Sequence, residues 1–124
     1  MIAADTSSVI GYLKGQSDPR IERLVVAIDD RALWLPPPVI AELRAGATIS
    51  ARLDGLLDDA PMLALMDGFW DRAGRTRRFL LAKGLKARMI DAMVAQCCID
   101  ADVSLIALDS DFSHFETHCG LKLA

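Results

Sequence analysis

Short apolar runs alternate with longer stretches whose apolar residues recur every three or four positions, as in a chain that switches between strand and helix. Residues 2–5 are a strand candidate. Thr6-Ser7-Ser8 then supplies hydroxyl caps for a helix over Val9 to Lys14. Gly15 to Pro19 reads as a turn. Ile21, Leu24, Val25 and Ile28 fall at helical spacing and predict a second helix ending near Asp29-Asp30. Ala32-Leu33-Trp34-Leu35 is a brief strand closed by Pro36-Pro37-Pro38. Proline is tolerated in the first turn of the helix that follows, which carries Glu42 and stops near Gly46.

A further helix is expected over 50–59, then a strand at Met62-Leu63-Ala64-Leu65. Residues 67–83 read as a long amphipathic helix closed by Gly84. Met89 to Ala101 reads as a buried helix, apolar on nearly every face. Ser104-Leu105-Ile106-Ala107-Leu108 is the best strand in the chain. Asp111 to Thr117 follows as a short helix, Gly120 as a turn and Leu121-Lys122-Leu123 as a terminal strand. Strands alternating with helices imply an α/β fold, a parallel sheet covered on both faces.

The length of 124 residues argues for a single domain over 1–124. A hydrophobic content of 52% excludes a disordered chain. No apolar run approaches a membrane span, and the start lacks the basic region of a secretory signal, so a cytoplasmic location is expected. Cys97, Cys98 and Cys119 show no metal-ligand spacing and read as reduced packing residues. His114 and His118 read as surface or helix-end residues. The net charge of −3 disfavours a nucleic-acid partner until its distribution is considered. Arg72, Arg75, Arg77, Arg78, Lys83, Lys86 and Arg88 lie in one stretch without an acidic residue, half of the fourteen basic residues, against seventeen acidic ones elsewhere. An acidic site bordered by a basic segment suits a protein that holds cations and attracts phosphates, although a solvated helix face would give the same pattern.

The candidate chemistry lies in carboxylates set beside residues that ought to be buried: Asp5, Glu42, Asp91, Asp109 and Asp111. A buried carboxylate needs a cation or strong donors, and several drawn together need a divalent metal. In an open parallel sheet the site lies beyond the carboxyl ends of the strands, where Asp5 and Asp109 belong. Glu42 and Asp91 are expected near the starts of helices that return to that edge. Asp5, Asp109 and Asp111 also suit helix N-caps, and Glu42 suits an exposed ion pair. Mg²⁺ or Mn²⁺ held by such residues would activate a water and polarise a phosphate without a histidine base.

Taken in order, these motifs resemble the PIN-domain ribonucleases, most closely the VapC-type toxins of bacterial toxin–antitoxin pairs. Asp5-Thr6-Ser7, Leu35-Pro36-Pro37-Pro38-Val39-Ile40-Ala41-Glu42-Leu43, Asp91-Ala92-Met93-Val94-Ala95 and Leu108-Asp109-Ser110-Asp111-Phe112 are similar to that family's four acidic motifs and span nearly the whole chain. The resemblance implies a three-layer sandwich around a parallel sheet of about five strands. It implies Mg²⁺- or Mn²⁺-dependent hydrolysis of single-stranded RNA, leaving a 3′-hydroxyl and a 5′-phosphate. A toxin homodimer and a cognate VapB-like antitoxin that blocks the site are implied as well. On this mapping Asp5 and Asp91 are the principal metal ligands. Glu42 ligates or orients the water, Asp109 completes the set, Asp111 is a fifth member, and Thr6 positions Asp5 or a metal-bound water. Arg72, Arg75, Arg78, Lys86 and Arg88 are the candidate RNA contacts.

One position departs from the family pattern: Ala107 stands where a threonine or serine often precedes the last acidic pair, which predicts weaker metal retention. It also keeps open a PIN fold that acts only by binding its partner. A phosphatase using Asp5 as phosphoacceptor would want a second aspartate at position 7, which is Ser, and a receiver domain would want paired acids near the first strand's end and a lysine late in the chain, and neither pattern fits. Tyr12, Leu13, Trp70 and Phe79 are large residues on helices expected near the surface, with Leu13 and Phe79 assigned to the core.

Overall fold

The computed structural model describes residues 1–124 and places three strands in one parallel sheet, ordered β2-β1-β3. These are β1 (Ile2–Ala4), β2 (Leu33–Trp34) and β3 (Leu105–Ile106). Ile2 is paired with Leu33 and Ala3 with Leu105, so β1 runs through the middle. Single parallel bridges, Leu35 with Met62 and Leu105 with Leu123, add one row at each side. The five expected strand positions are therefore all present, the outer two each reduced to one bridge. Two backbone groups explain why β3 is shorter than the 104–108 pattern suggests. The amide of Leu108 donates to the Ser8 hydroxyl, and the carbonyl of Ala107 accepts from Arg20, so both leave the ladder for side chains.

Seven helices surround the sheet: α1 (Thr6–Leu13), α2 (Pro19–Asp29), α3 (Pro37–Arg44), α4 (Ala51–Asp59), α5 (Phe69–Ala82), α6 (Met89–Ala101) and α7 (Ser113–Cys119). Most follow the apolar spacing. The exception is the start of α1: it begins at Thr6, with Asp5 rather than the hydroxyl residues as its N-cap. The helix expected over 111–117 is divided into a 3₁₀ turn, Ser110–Phe112, and α7. Helix α6 spans the residues expected, and its Asp91, Ala92, Val94, Ala95, Gln96, Cys97 and Cys98 are all buried. Burial pushes the Cys97 thiol up to about 12 and raises those of Cys98 and Cys119, so none forms a reactive thiolate.

Helices α5 and α6 are joined by a polar chain as well as by packing. The Thr76 hydroxyl donates to Gln96 Oε1 at 2.6 Å, and Gln96 Nε2 donates to Asp100 at 2.9 Å. The Arg72 guanidinium donates to both Asp100 oxygens and to the carbonyl of Asp67. Burial raises the Asp100 carboxyl, but the Arg72 and Gln96 donors outweigh it and leave it below its ordinary value. Arg72, a candidate RNA contact from the charge pattern, is thus tied to Asp100 and Asp67. Phe79, assigned to the core from the sequence, is exposed with Lys83 over its ring, and Trp70 is exposed and meets Phe69 edge-on. Leu13 and Tyr12 are half-buried against the core, with Arg52 over the Tyr12 ring. No helix is long and apolar enough to cross a membrane.

Candidate active site

The carboxyl edge of the sheet gathers the chain's buried acids. Asp5, only 3% exposed, leaves β1 and caps α1. Its Oδ2 accepts from the Ser7 hydroxyl at 2.6 Å; its Oδ1 accepts from the Ser8 amide at 2.9 Å and the Ser8 hydroxyl at 2.5 Å. Burial raises the Asp5 carboxyl, the serine donors pull it back, and the charge of Asp109 pushes it up again. Capping and site membership, set against each other by the sequence, are therefore compatible at Asp5.

Asp91 occupies the first turn of α6, where a helix N-terminus favours negative charge. Asp109 follows β3, and its Oδ1 accepts from the Asp111 amide at 2.9 Å, capping the 3₁₀ turn. That turn folds Asp111 back toward Asp91. One oxygen from each of Asp91, Asp109 and Asp111 lies within 4.8 Å of the other two. A six-coordinate Mg²⁺ with bonds of ~2.1 Å has opposite ligands ~4.2 Å apart, so small side-chain rotations suffice to close this set around one ion. An all-oxygen, carboxylate donor set suits Mg²⁺ or Mn²⁺ and not a soft metal. Burial raises the Asp91 carboxyl above its ordinary value; Arg88 opposes this, and the charges of Asp109 and Asp111 add to it.

The expected five-acid set is thus divided. Asp91, Asp109 and Asp111 converge. Asp5 stands outside that group of three but within the electrostatic reach of Asp109. Glu42 is also outside it. It lies in the second turn of α3, not near the start as expected, and is half-buried. Its Oε1 accepts from the Thr6 hydroxyl at 2.7 Å. Thr6 therefore orients Glu42, whereas Ser7 and Ser8 perform the positioning of Asp5 assigned to Thr6 from the sequence.

The basic candidates separate as sharply. Arg88 faces Asp91 with two donors, Nε at 3.0 Å and Nη2 at 3.1 Å, and its Nη2 lies 3.6 Å from Asp109. Lys86 Nζ is 3.0 Å from Asp111. Arg75 pairs with Asp71 on the exposed face of α5, and Arg78 is exposed there as well. His118 is an exposed residue in the last turn of α7, and His114 is half-buried near its start.

Two residues carry more than the sequence suggested. Ser8, fully buried, bonds Asp5 and also approaches the carbonyl of Ile106 at 3.0 Å while accepting from the amide of Leu108 at 3.2 Å. With one proton to give, it donates at the shorter contact, to Asp5. It thereby fixes the acid to the end of β3. Ser8→Ala leaves the Leu108 amide without its partner, and we expect a loss of roughly 1–3 kcal/mol, read as a lowered urea midpoint. An unchanged midpoint would mean that residues 106–108 are held by other contacts. Arg20, held by Asp18 through Nε at 3.0 Å and Nη2 at 2.8 Å, donates to the Ala107 carbonyl at 3.1 Å and feels the charge of Asp5. Its only local signal is Asp18-Pro19, a helix start that aims the next side chain back at the sheet edge.

Comparisons with known proteins agree on the fold. The PIN domain family model matches residues 2–117. None of the curated proteins matches the sequence. Among solved structures, VapBC2 from Rickettsia felis bound to a promoter DNA fragment has a TM-score of 0.75 at 20% identity, covering 100% of this chain and 98% of that one. DNA-bound VapBC from Salmonella typhimurium gives 0.73 at 18%, covering 100% and 98%. FitAcB from Neisseria gonorrhoeae gives 0.71 at 14%, covering 99% and 96%. With a family match over nearly its whole length and an acidic group at the carboxyl edge of a parallel sheet, the chain belongs to the PIN-domain family.

Proposed function

We propose that this chain, a single domain over residues 1–124, is the VapC-type toxin of a toxin–antitoxin pair. In this reading it is a Mg²⁺- or Mn²⁺-dependent endoribonuclease that hydrolyses phosphodiester bonds in single-stranded regions of RNA. It works as a homodimer and is restrained by a cognate VapB-like antitoxin. The observation that carries the reading is the convergence of Asp91, Asp109 and Asp111, one of them almost fully buried, at the edge where a PIN fold places its chemistry. The partner is supported by the neighbours of similar fold, which are toxin–antitoxin complexes.

Asp91, Asp109 and Asp111 would hold the divalent ion, with Asp5 adding negative charge beside Asp109. A bound ion in such a site lowers the pKa of a water and neutralises charge on the phosphate. Glu42, aimed by Thr6, would accept the proton of the attacking water or orient it. Arg78 and Arg75, on the exposed face of α5, together with Lys86 and Arg88 at the rim of the acidic group, would meet phosphates along the basic segment. The alternative, a PIN fold that only binds its partner, draws support from Ala107, which supplies no hydroxyl beside the acids.

The test is cleavage of single-stranded RNA by the purified, partner-free chain with Mn²⁺ or Mg²⁺, and again with EDTA. We expect cleavage that EDTA abolishes and that added antitoxin suppresses. Persistence of cleavage in EDTA would exclude the metal reading, and a folded chain that binds Mn²⁺ yet cleaves no RNA in a broad panel would favour the binding module.

A further inference from the structure

We infer that Arg88 and Lys86 are exchangeable counter-ions of the acidic group: they neutralise it in the metal-free chain, and a divalent cation displaces them toward the phosphates of the nucleic acid. The inference rests on the metal-dependent reading above. Each of the three converging carboxylates already faces a cation from the chain. Arg88 takes both oxygens of Asp91 and approaches Asp109, and Lys86 takes Asp111. Both come from the segment between α5 and α6, and both side chains are more than half exposed. Arg88 is the N-cap residue of α6 and Lys86 precedes it in the loop, so either side chain can swing outward without disturbing a helix.

Charge makes the exchange balanced. Three carboxylates with two unit cations carry one net negative charge, and the same three with one divalent ion carry the same. The two arrangements compete for the same oxygens, because a divalent ion in direct contact with them leaves a nearby guanidinium facing a positive centre. The displaced side chains stay tethered at the rim, where a phosphate backbone would arrive. Metal and nucleic acid should therefore each raise the affinity for the other, as linkage requires.

Calorimetric titration of Mn²⁺ into the wild-type chain, Arg88→Gln, Lys86→Gln and Lys122→Gln tests the first half. Lys122 pairs with Asp102, which lies before β3 at the opposite edge of the sheet, and controls for the lost charge. We expect Arg88→Gln to bind Mn²⁺ about three- to tenfold more tightly, the scale of a partly exposed ion pair, with a smaller gain in Lys86→Gln and less than a twofold change in Lys122→Gln. Binding by Arg88→Gln no tighter than by Lys122→Gln would overturn the exchange and leave the metal reading standing. No Mn²⁺ binding in any of the four would overturn the metal reading and the exchange with it.

The second half is read from the salt dependence of binding to a single-stranded oligodeoxynucleotide, verified intact afterwards. Adding Mn²⁺ should steepen the wild-type slope of log K against log salt by about 0.7–1.4, one or two phosphates' worth, and the Arg88→Gln/Lys86→Gln double variant should lose that increment. An equal increment in the double variant would show that other groups meet the phosphates.

Discussion

Asp91→Asn is expected to abolish metal-dependent RNA cleavage, by at least ~10²-fold, while raising the thermal midpoint of the metal-free chain. The two effects have one origin. Asp91 is a buried carboxylate in the first turn of α6, and burial raises its pKa despite the bidentate Arg88. A folded-state value above the unfolded one means that the stability from this group is complete below the ordinary value of 3.8 and is lost as pH rises through the folded value. At neutral pH the ionised side chain therefore costs stability, and asparagine removes that cost with nearly the same shape. The advantage of the variant should be largest near pH 7 and should shrink as the pH falls toward 3.8. Added Mn²⁺ should reverse the order, because the wild type gains binding free energy and the variant does not. A midpoint lower than wild type without metal, at neutral pH, would contradict the burial argument, and retained cleavage would remove Asp91 from the site.

Phe115→Ala is expected to lose about 3–5 kcal/mol, roughly 10–20 °C in midpoint, and to weaken Mn²⁺ binding along with it. Phe115 is fully buried on α7, and its ring centroid lies 6.1 Å from that of Phe112. Phe112 ends the 3₁₀ turn that carries Asp111, so the two rings form the floor beneath the acidic loop. Truncation leaves a cavity beside Phe112, next to the turn whose acids are proposed to hold an ion. A small domain has about 5–15 kcal/mol in total, so the loss is a large share of it. Phe115→Leu, which keeps most of the volume, should recover much of the stability and the metal affinity. A stable Phe115→Ala protein with wild-type Mn²⁺ affinity would mean that the loop is held from elsewhere.

The elements that could be read from the sequence were those whose identity is local. Helix α6 is legible from Met89 to Ala101 because apolar residues cover nearly every face, so the buried Asp91 stands out within it. The burial of Asp5 and the approach of Asp109 follow from strand ends in a parallel sheet. What could not be read depends on partners distant along the chain. Thr6 sits beside Asp5 in sequence but bonds Glu42, 36 residues away, because α1 and α3 meet at that edge. Arg72, Lys86 and Arg88 look alike as members of one basic run; α6 and the acidic loop assign Arg72 to Asp100 and the other two to the site. Ser8 reads as a cap hydroxyl, and only the return of the chain at 106–108 gives it a second role.

The outer rows of the sheet, a single bridge at Met62 and another at Leu123, also govern how this protein can be recognised. A chain that docks by adding a strand needs a run of free backbone donors and acceptors along an open edge. Each border is no longer than a single bridge, Leu35 with Met62 and Leu105 with Leu123. Such short borders also guard against edge-to-edge aggregation between copies. Strand addition would find little ladder to extend here, so a partner would have to read the shape and charge of the helix faces rather than a repeating main-chain pattern.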